Sequence, residues 1–273
     1  LLSHWIRCAA FEPVYRELLA LGEYILPKSG LPFWKVQAIQ DMLARMSGPL
    51  NLAVMAPQLH EREVEMATRQ LHALLALMGR PAASYLVVCL ELEENANRRS
   101  HIVAALRAIG RHAVPALKGA LSCEDPSIVL CAVQLLGDSG HKPALPDVTM
   151  ALKHSDGLVR KAAVGAVTRL GGADSAEILA EVLLRPEPAV QMECLAALGN
   201  LKATVAVPAI AELIRTAKNS GEDAQRLRLR AVETLGLLAS PEGIAPLREL
   251  FRKKGFLGSR ESSAIRMAAA KSL

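Results

Sequence analysis

Apolar residues along this chain recur at the three- and four-residue spacing of one helix face, not at the alternation of a strand. Ile178, Leu179, Val182 and Leu183 form one such set, and Ile210, Leu213 and Ile214 another. These amphipathic stretches alternate with alanine-rich ones, of which Val159-Arg160-Lys161-Ala162-Ala163-Val164-Gly165-Ala166-Val167 is the clearest. Alanine favours helix and lets neighbouring backbones approach closely. Pro115, Pro208 and Pro246 open amphipathic stretches, and in a first helical turn the missing N–H costs no hydrogen bond. Asp125 and Asp156 stand before alanine-rich stretches, where their side chains can cap a helix. The pattern predicts pairs of helices, the first amphipathic and the second rich in alanine.

The pairs repeat. A small residue ends a helical stretch at Gly48, Gly79, Gly110, Gly140 and Gly171, with steps of 31, 31, 30 and 31. The series continues at Lys202 after another 31 and at Ala239 after 37. Twelve residues before each marker lies a helix-start position: Val36, Ala67, Arg98, Ile128, Val159, Val190 and Leu227, recurring once more at Ile265. A single hairpin of this kind is apolar on more than one side, so it must stack on its neighbours. The predicted fold is all-α, a right-handed α-solenoid of about eight helical hairpins, with second helices concave and first helices convex. Residues 1–80 are expected to be divergent N-terminal repeats, and 81–273 regular repeats continuous with them. Residues 1–10 are expected to form an additional helix or the tail of a preceding unit. The last second helix, starting at Ile265, lacks the ending of its siblings, which predicts a fragment of a larger protein or self-association through an open C-terminal end.

Composition narrows the function classes. Of 273 residues, 51% are hydrophobic and 22% charged, enough for a large core, but only 3% are aromatic. So few aromatics argue against a β-sandwich and against base-stacking nucleic-acid modules. No apolar run approaches the length of a membrane span, which predicts no membrane insertion. Five cysteines without paired spacing suit a reducing, cytoplasmic setting with inert thiols. The net charge is +5, and all of that surplus lies in residues 204–273, with 12 Lys and Arg against 7 Asp and Glu.

Val159-Arg160-Lys161-Ala162-Ala163 and Ile265-Arg266-Met267-Ala268-Ala269-Ala270, with Leu198-Gly199 and Leu235-Gly236 later in their units, resemble bacterial HEAT repeats. More narrowly, they resemble the short HEAT-like repeats of phycobilisome lyases. The resemblance covers residues 81–273 well and 11–80 loosely. It implies HEAT-like hairpins, which occur in scaffolds, lyases, hydroxylases and DNA-repair enzymes, so it says little about chemistry.

Motifs for catalysis are sparse. Of seven histidines only His60-Glu61 forms an adjacent His-Glu pair, whereas the resembling deoxyhypusine hydroxylases carry several such pairs around two irons. There is no HExxH, zinc spacing, GxSxG elbow or phosphate loop, so no metal and no cofactor is expected. HEAT-like DNA glycosylases also need aromatic residues at a basic face, but Trp5 and Trp34 lie far in sequence from the basic units. The expected function is a non-catalytic protein-binding scaffold, with an enzyme of the HEAT-like class (bilin lyase or DNA-repair glycosylase) as the alternative.

Surface features then point to one edge. The two lengthened units carry extra residues at Lys218–Asp223 and Lys253–Arg260, which should lie side by side. Lys218, Arg226, Arg230, Arg252, Lys253, Lys254, Phe256 and Arg260 are the candidate partner-binding residues, an aromatic anchor within a basic rim suited to a protein with an acidic surface. Arg228 stands at the position of Arg160, where a turn-stabilising role competes with binding. Reversing the charge of Lys253, Lys254 and Arg260 together should weaken partner capture in a pull-down while leaving helix content and Tm nearly unchanged. Undiminished capture would move the surface to the second helices near Lys161 and Arg169.

Overall fold

The computed structural model describes residues 33–61, 65–217, 221–251 and 263–273, together with Glu17. Two compact units divide the chain, Leu1–His141 and Lys142–Leu273. The first contains α1 (Phe33–Met46), α2 (Pro49–Glu61), α3 (Glu65–Met78), α4 (Arg80–Leu92), α5 (Ala96–Ile109), α6 (Val114–Ala120) and α7 (Pro126–Asp138). The second contains α8 (Leu145–Met150), α9 (Gly157–Gly171), α10 (Ala173–Leu183), α11 (Pro188–Asn200), α12 (Val207–Thr216), α13 (Glu222–Leu238), α14 (Ile244–Glu249) and α15 (Ser263–Ser272). Among the described residues there is no strand. The expectations for residues 1–10 and for the first helix of the first hairpin lie outside the described residues.

Helix ends follow the sequence register closely. Positive φ occurs at the markers Gly79, Gly110, Gly140, Lys202 and Ala239. At the fifth marker it falls one residue late, because α9 runs through Gly171 and turns at Gly172. Gly79 (φ 62°, ψ −125°) and Gly110 (φ 62°, ψ −129°) occupy a region that a Cβ all but closes. Ala239, at φ 48° and ψ 36°, ends its helix in the left-handed α region, which side chains tolerate at modest cost. The change of terminating conformation explains why the glycine rule lapses there.

The Lys218–Asp223 insertion needs one correction. Glu222 and Asp223 form the first turn of α13, which at 17 residues exceeds α11 at 13. Acids there suit the positive end of the helix dipole. Part of the predicted loop is therefore spent on a longer helix.

Core positions are fixed by the same register. Counting Val159 as position 1, positions 1, 5, 6, 8 and 9 are buried in α9 (Val159, Ala163, Val164, Ala166, Val167) and in α11 (Val190, Cys194, Leu195, Ala197, Leu198). They are buried again in α13 (Leu227, Ala231, Val232, Thr234, Leu235). A side chain the size of leucine gains roughly 1.5–3 kcal/mol on full burial, so this set dominates each hairpin's stability. Within the C-terminal unit α9, α11, α13 and α15 pack successively on one another, more closely than α10 packs on α12. The second helices thus form the tighter, inner layer of that unit.

Position 2 carries a polar clip. The last carbonyls of a helix lack intrahelical donors. Arg99 donates through Nε to the Glu93 carbonyl, Gln191 through Nε2 to the Leu183 carbonyl at 2.9 Å, and Arg228 through Nε to the Ile214 carbonyl at 2.8 Å. Arg160 donates to the carbonyls of His154 and Ser155 at 2.5 and 2.7 Å. Two of these arginines also reach the next hairpin's second-helix cap. Arg160 grips both Glu187 oxygens, at 2.7 and 2.5 Å, and Arg99 meets Ser127 Oγ at 2.7 Å and Asp125 at 3.4 Å. Asp125 in turn accepts from the Ser127 N–H at 2.8 Å, and that bond, with the Ser127 hydroxyl and Arg99, holds its carboxyl below its ordinary pKa. The turn-stabilising alternative for Arg228 is thereby borne out.

Arg160 is partly exposed, so solvent discounts its charge pair but not its bonds to turn carbonyls. Arg160→Ala should cost about 1–2 kcal/mol, and Glu187→Ala less, because Arg160 keeps its carbonyl partners. A double-mutant cycle by urea denaturation should return a coupling of about 0.5–1 kcal/mol. A coupling of zero would show that Glu187 contributes nothing to the clip.

Candidate functional site

At positions 3 and 11 of the C-terminal unit's second helices, Lys161, Arg169, Met192, Asn200, Leu237 and Met267 are exposed and Leu229 is half-buried. Position 3 holds Lys161 in α9, Met192 in α11, Leu229 in α13 and Met267 in α15. Lys161 is neutralised across helices by Glu193 at 2.9 Å, so the α9–α11 end of the layer is polar. The α13–α15 end is different. Leu237, at position 11 of α13, is 59% exposed, and Met267 is 58% exposed. Both line a cleft of about 620 Å³ whose margin also includes Leu229, Arg230, Glu233 and Lys271.

The floor of the cleft is set by a glycine. A Cβ at Gly236 would lie 2.6 Å from the Ser272 Cβ and 3.1 Å from its Cα. α13 and α15 therefore approach backbone to backbone at this point, and the larger side chains beside it stand up as walls. Ser272 adds a weak bond from its hydroxyl to the Val232 carbonyl at 3.4 Å.

Of the eight residues singled out from sequence, the structure describes Arg226 and Arg230. Lys218, Arg252, Lys253, Lys254, Phe256 and Arg260 lie outside the described residues. Arg226 is exposed and bonded to Glu222 at 2.5 Å on its own helix. Arg230 is half-buried, pairs with Glu233 at 3.5 Å and lines the inner cleft. Four residues apart on α13, they share a helix face. The described flank of the lengthened unit is mixed: Leu184, Pro186, Pro188 and Ala217 line a groove of about 590 Å³ together with Glu212 and Thr216.

Leu237 and Met267 were missed, although a signal was available. They are large apolar residues at outward positions of second helices, visible once the copies are aligned on position 1. Cys194 is buried, and Cys89, Cys123 and Cys131 are half-buried. Burial pushes Cys194 up to about 12, helped by Glu193, and pushes Cys123 up to about 11, helped by its bond to Glu91 Oε1 at 3.1 Å. Among the described residues no group of three His, Cys, Asp or Glu side chains could hold a metal ion. No single described helix is long and apolar enough to cross a membrane.

Stacked helical hairpins with a glycine-closed turn, a position-2 clip and an inner layer of alanine-rich helices define an all-α solenoid. The family model described as HEAT repeats matches residues 83–164, 114–188 and 148–226, and one described as PBS lyase HEAT-like repeat matches 227–253. The chain belongs to the HEAT-repeat family. Among solved structures, it is similar to Kap95p, from a complex with RanGDP, at 13% identity over 92% of this chain and 38% of that one, with a TM-score of 0.50. Human deoxyhypusine hydroxylase is similar at 19% identity over 94% and 95% of the two chains (TM-score 0.39). A chain of the CpcE–CpcF phycocyanin lyase complex from a Nostoc species is similar at 19% identity over 81% and 86% (TM-score 0.38). Such likeness is one of fold. No curated protein sequence matches the chain.

Gly236→Ala tests the close approach. Alanine gains about 1 kcal/mol of helix propensity, whereas overpacking costs about 1–3 kcal/mol. A net loss of stability is expected, recovered by adding Ser272→Gly, with thermal denaturation as the measurement. A stabilised Gly236→Ala variant would mean that α15 does not pack against Gly236.

Proposed function

We propose that this chain is a non-catalytic protein-binding scaffold that holds its partner on the inner, second-helix layer of the C-terminal unit. One observation carries the reading: Leu237 and Met267 stand more than half exposed on either wall of one cleft, beside the small residues Gly236, Ala264 and Ala268. Large apolar side chains in water lower solubility without aiding the core, so their clustering marks an interaction surface. Packed helices present them at fixed spacing, which limits the ordering cost of association. The basic edge at Lys218, Arg226, Arg252, Lys253, Lys254, Phe256 and Arg260 is a second contact region in this proposal. It supplies attraction for an acidic partner and raises the rate of encounter.

The test uses a photo-crosslinking amino acid placed singly at Leu237, Met267 or Val205. Val205 is exposed but belongs to the turn before α12, on the first-helix side. In cell extract, positions 237 and 267 should capture the same protein, and position 205 should not. Equal capture at all three, or at 205 alone, would contradict the assignment of the inner layer.

A further inference from the structure

We infer that the cleft between α13 and α15 takes an amphipathic helix whose apolar stripe is flanked by acidic residues. This rests on the inner-layer reading above and names the kind of partner that layer fits.

Length comes first. Leu229 and Leu237 lie eight residues apart on α13, so they are about 12 Å apart along its axis. An apolar stripe on a partner helix places side chains at i and i+7 about 10.5 Å apart, close to that separation. The facing wall, Met267 and the aliphatic stem of Lys271, stands four residues apart on α15 and receives the i+3 or i+4 side chain between them. Methionine suits this role because its unbranched chain repacks around varied shapes.

Backbone chemistry then separates a helix from an extended peptide. Both walls are helices whose main-chain groups are bonded internally, so the cleft has no row of free N–H and C=O groups. An extended ligand would bury unpaired main-chain groups against Leu237 and Met267. A helix satisfies its own.

Charge fixes the flanks. α15 contains no acid, and its Lys271 lines the cleft. Across the cleft Arg230 and Glu233 compensate each other. The surplus is positive, and acids beside the partner's apolar stripe meet it.

Three fluorescein-labelled synthetic peptides of about 15 residues provide the probe, titrated against the full chain by anisotropy. One carries leucines at i, i+4 and i+7 with glutamates on the flanks. The second replaces each glutamate by lysine, and the third inserts two prolines into the first. The acidic helical peptide should bind best. Leu237→Ala with Met267→Ala should weaken it about tenfold, and Lys271→Glu about fivefold, with the basic peptide gaining on that last variant. These side chains are exposed, so circular dichroism should be unchanged. The proposal is overturned if the proline-containing peptide binds as tightly as its parent, if the basic peptide binds best, or if no peptide saturates below about 1 mM. Crosslinking at 237 and 267 without peptide binding would keep the scaffold reading and reject the helical partner. Absence of both would reject the inner layer itself.

Discussion

Every second helix in this chain is apolar on more flanks than its own hairpin can cover, and burying them requires a neighbour. In α13, positions 1 and 5 (Leu227, Ala231) and positions 6 and 9 (Val232, Leu235) are all buried. In α15 Ile265 and Ala269, at positions 1 and 5, are buried against α13, while Ala270 and Leu273, at 6 and 9, stand exposed. Two sets of positions thus serve two neighbours. The roughly 31-residue period, the alanine content and the glycine turns all serve that requirement, since helices meeting on successive flanks must be narrow and of matched length. The position-2 clip serves it too, because Arg99 and Arg160 tie a turn in one hairpin to the cap of the next.

Much of this was legible in the sequence because it depends on local chemistry repeated in register. Glycine spacing located the ends of helices to within two residues: the positive-φ turn falls on Gly79, Gly110 and Gly140, falls one residue late at Gly171, where two consecutive glycines left it free to fall on either, and is not found at Gly48. Aspartates before alanine-rich stretches proved to be caps, as at Asp156, whose carboxylate accepts from the N–H groups of Leu158 and Val159. The insertion before α13 was harder. Glu222 and Asp223 read as polar loop, but acids are also what a helix N-terminus favours, and composition does not separate the two. The exposed wall residues were hidden for a different reason. Leu237 and Met267 continue a helical apolar pattern, and periodicity assigns a face without saying whether a neighbour covers it.

The uniform stack also explains where function has room to reside. Positions 1, 5, 6, 8 and 9 are constrained by packing and position 2 by the clip, so chemistry is free to change chiefly at outward positions such as 3 and 11. Along the C-terminal unit position 3 passes from Lys161, paired with Glu193, to Met192, Leu229 and Met267. The inner layer becomes progressively apolar while the core beneath keeps its pattern. A binding face thereby arises without disturbing the fold.

Because neighbours, more than individual hairpins, supply the stability, resistance to local opening should be graded along the C-terminal unit. Native-state amide hydrogen exchange on the full chain measures this directly. The account predicts the strongest protection in α11 and α13, each packed between two second helices of this unit, and weaker protection in α15, whose positions 6 and 9 are exposed. Equal protection in all four helices, or the strongest in α15, would contradict it.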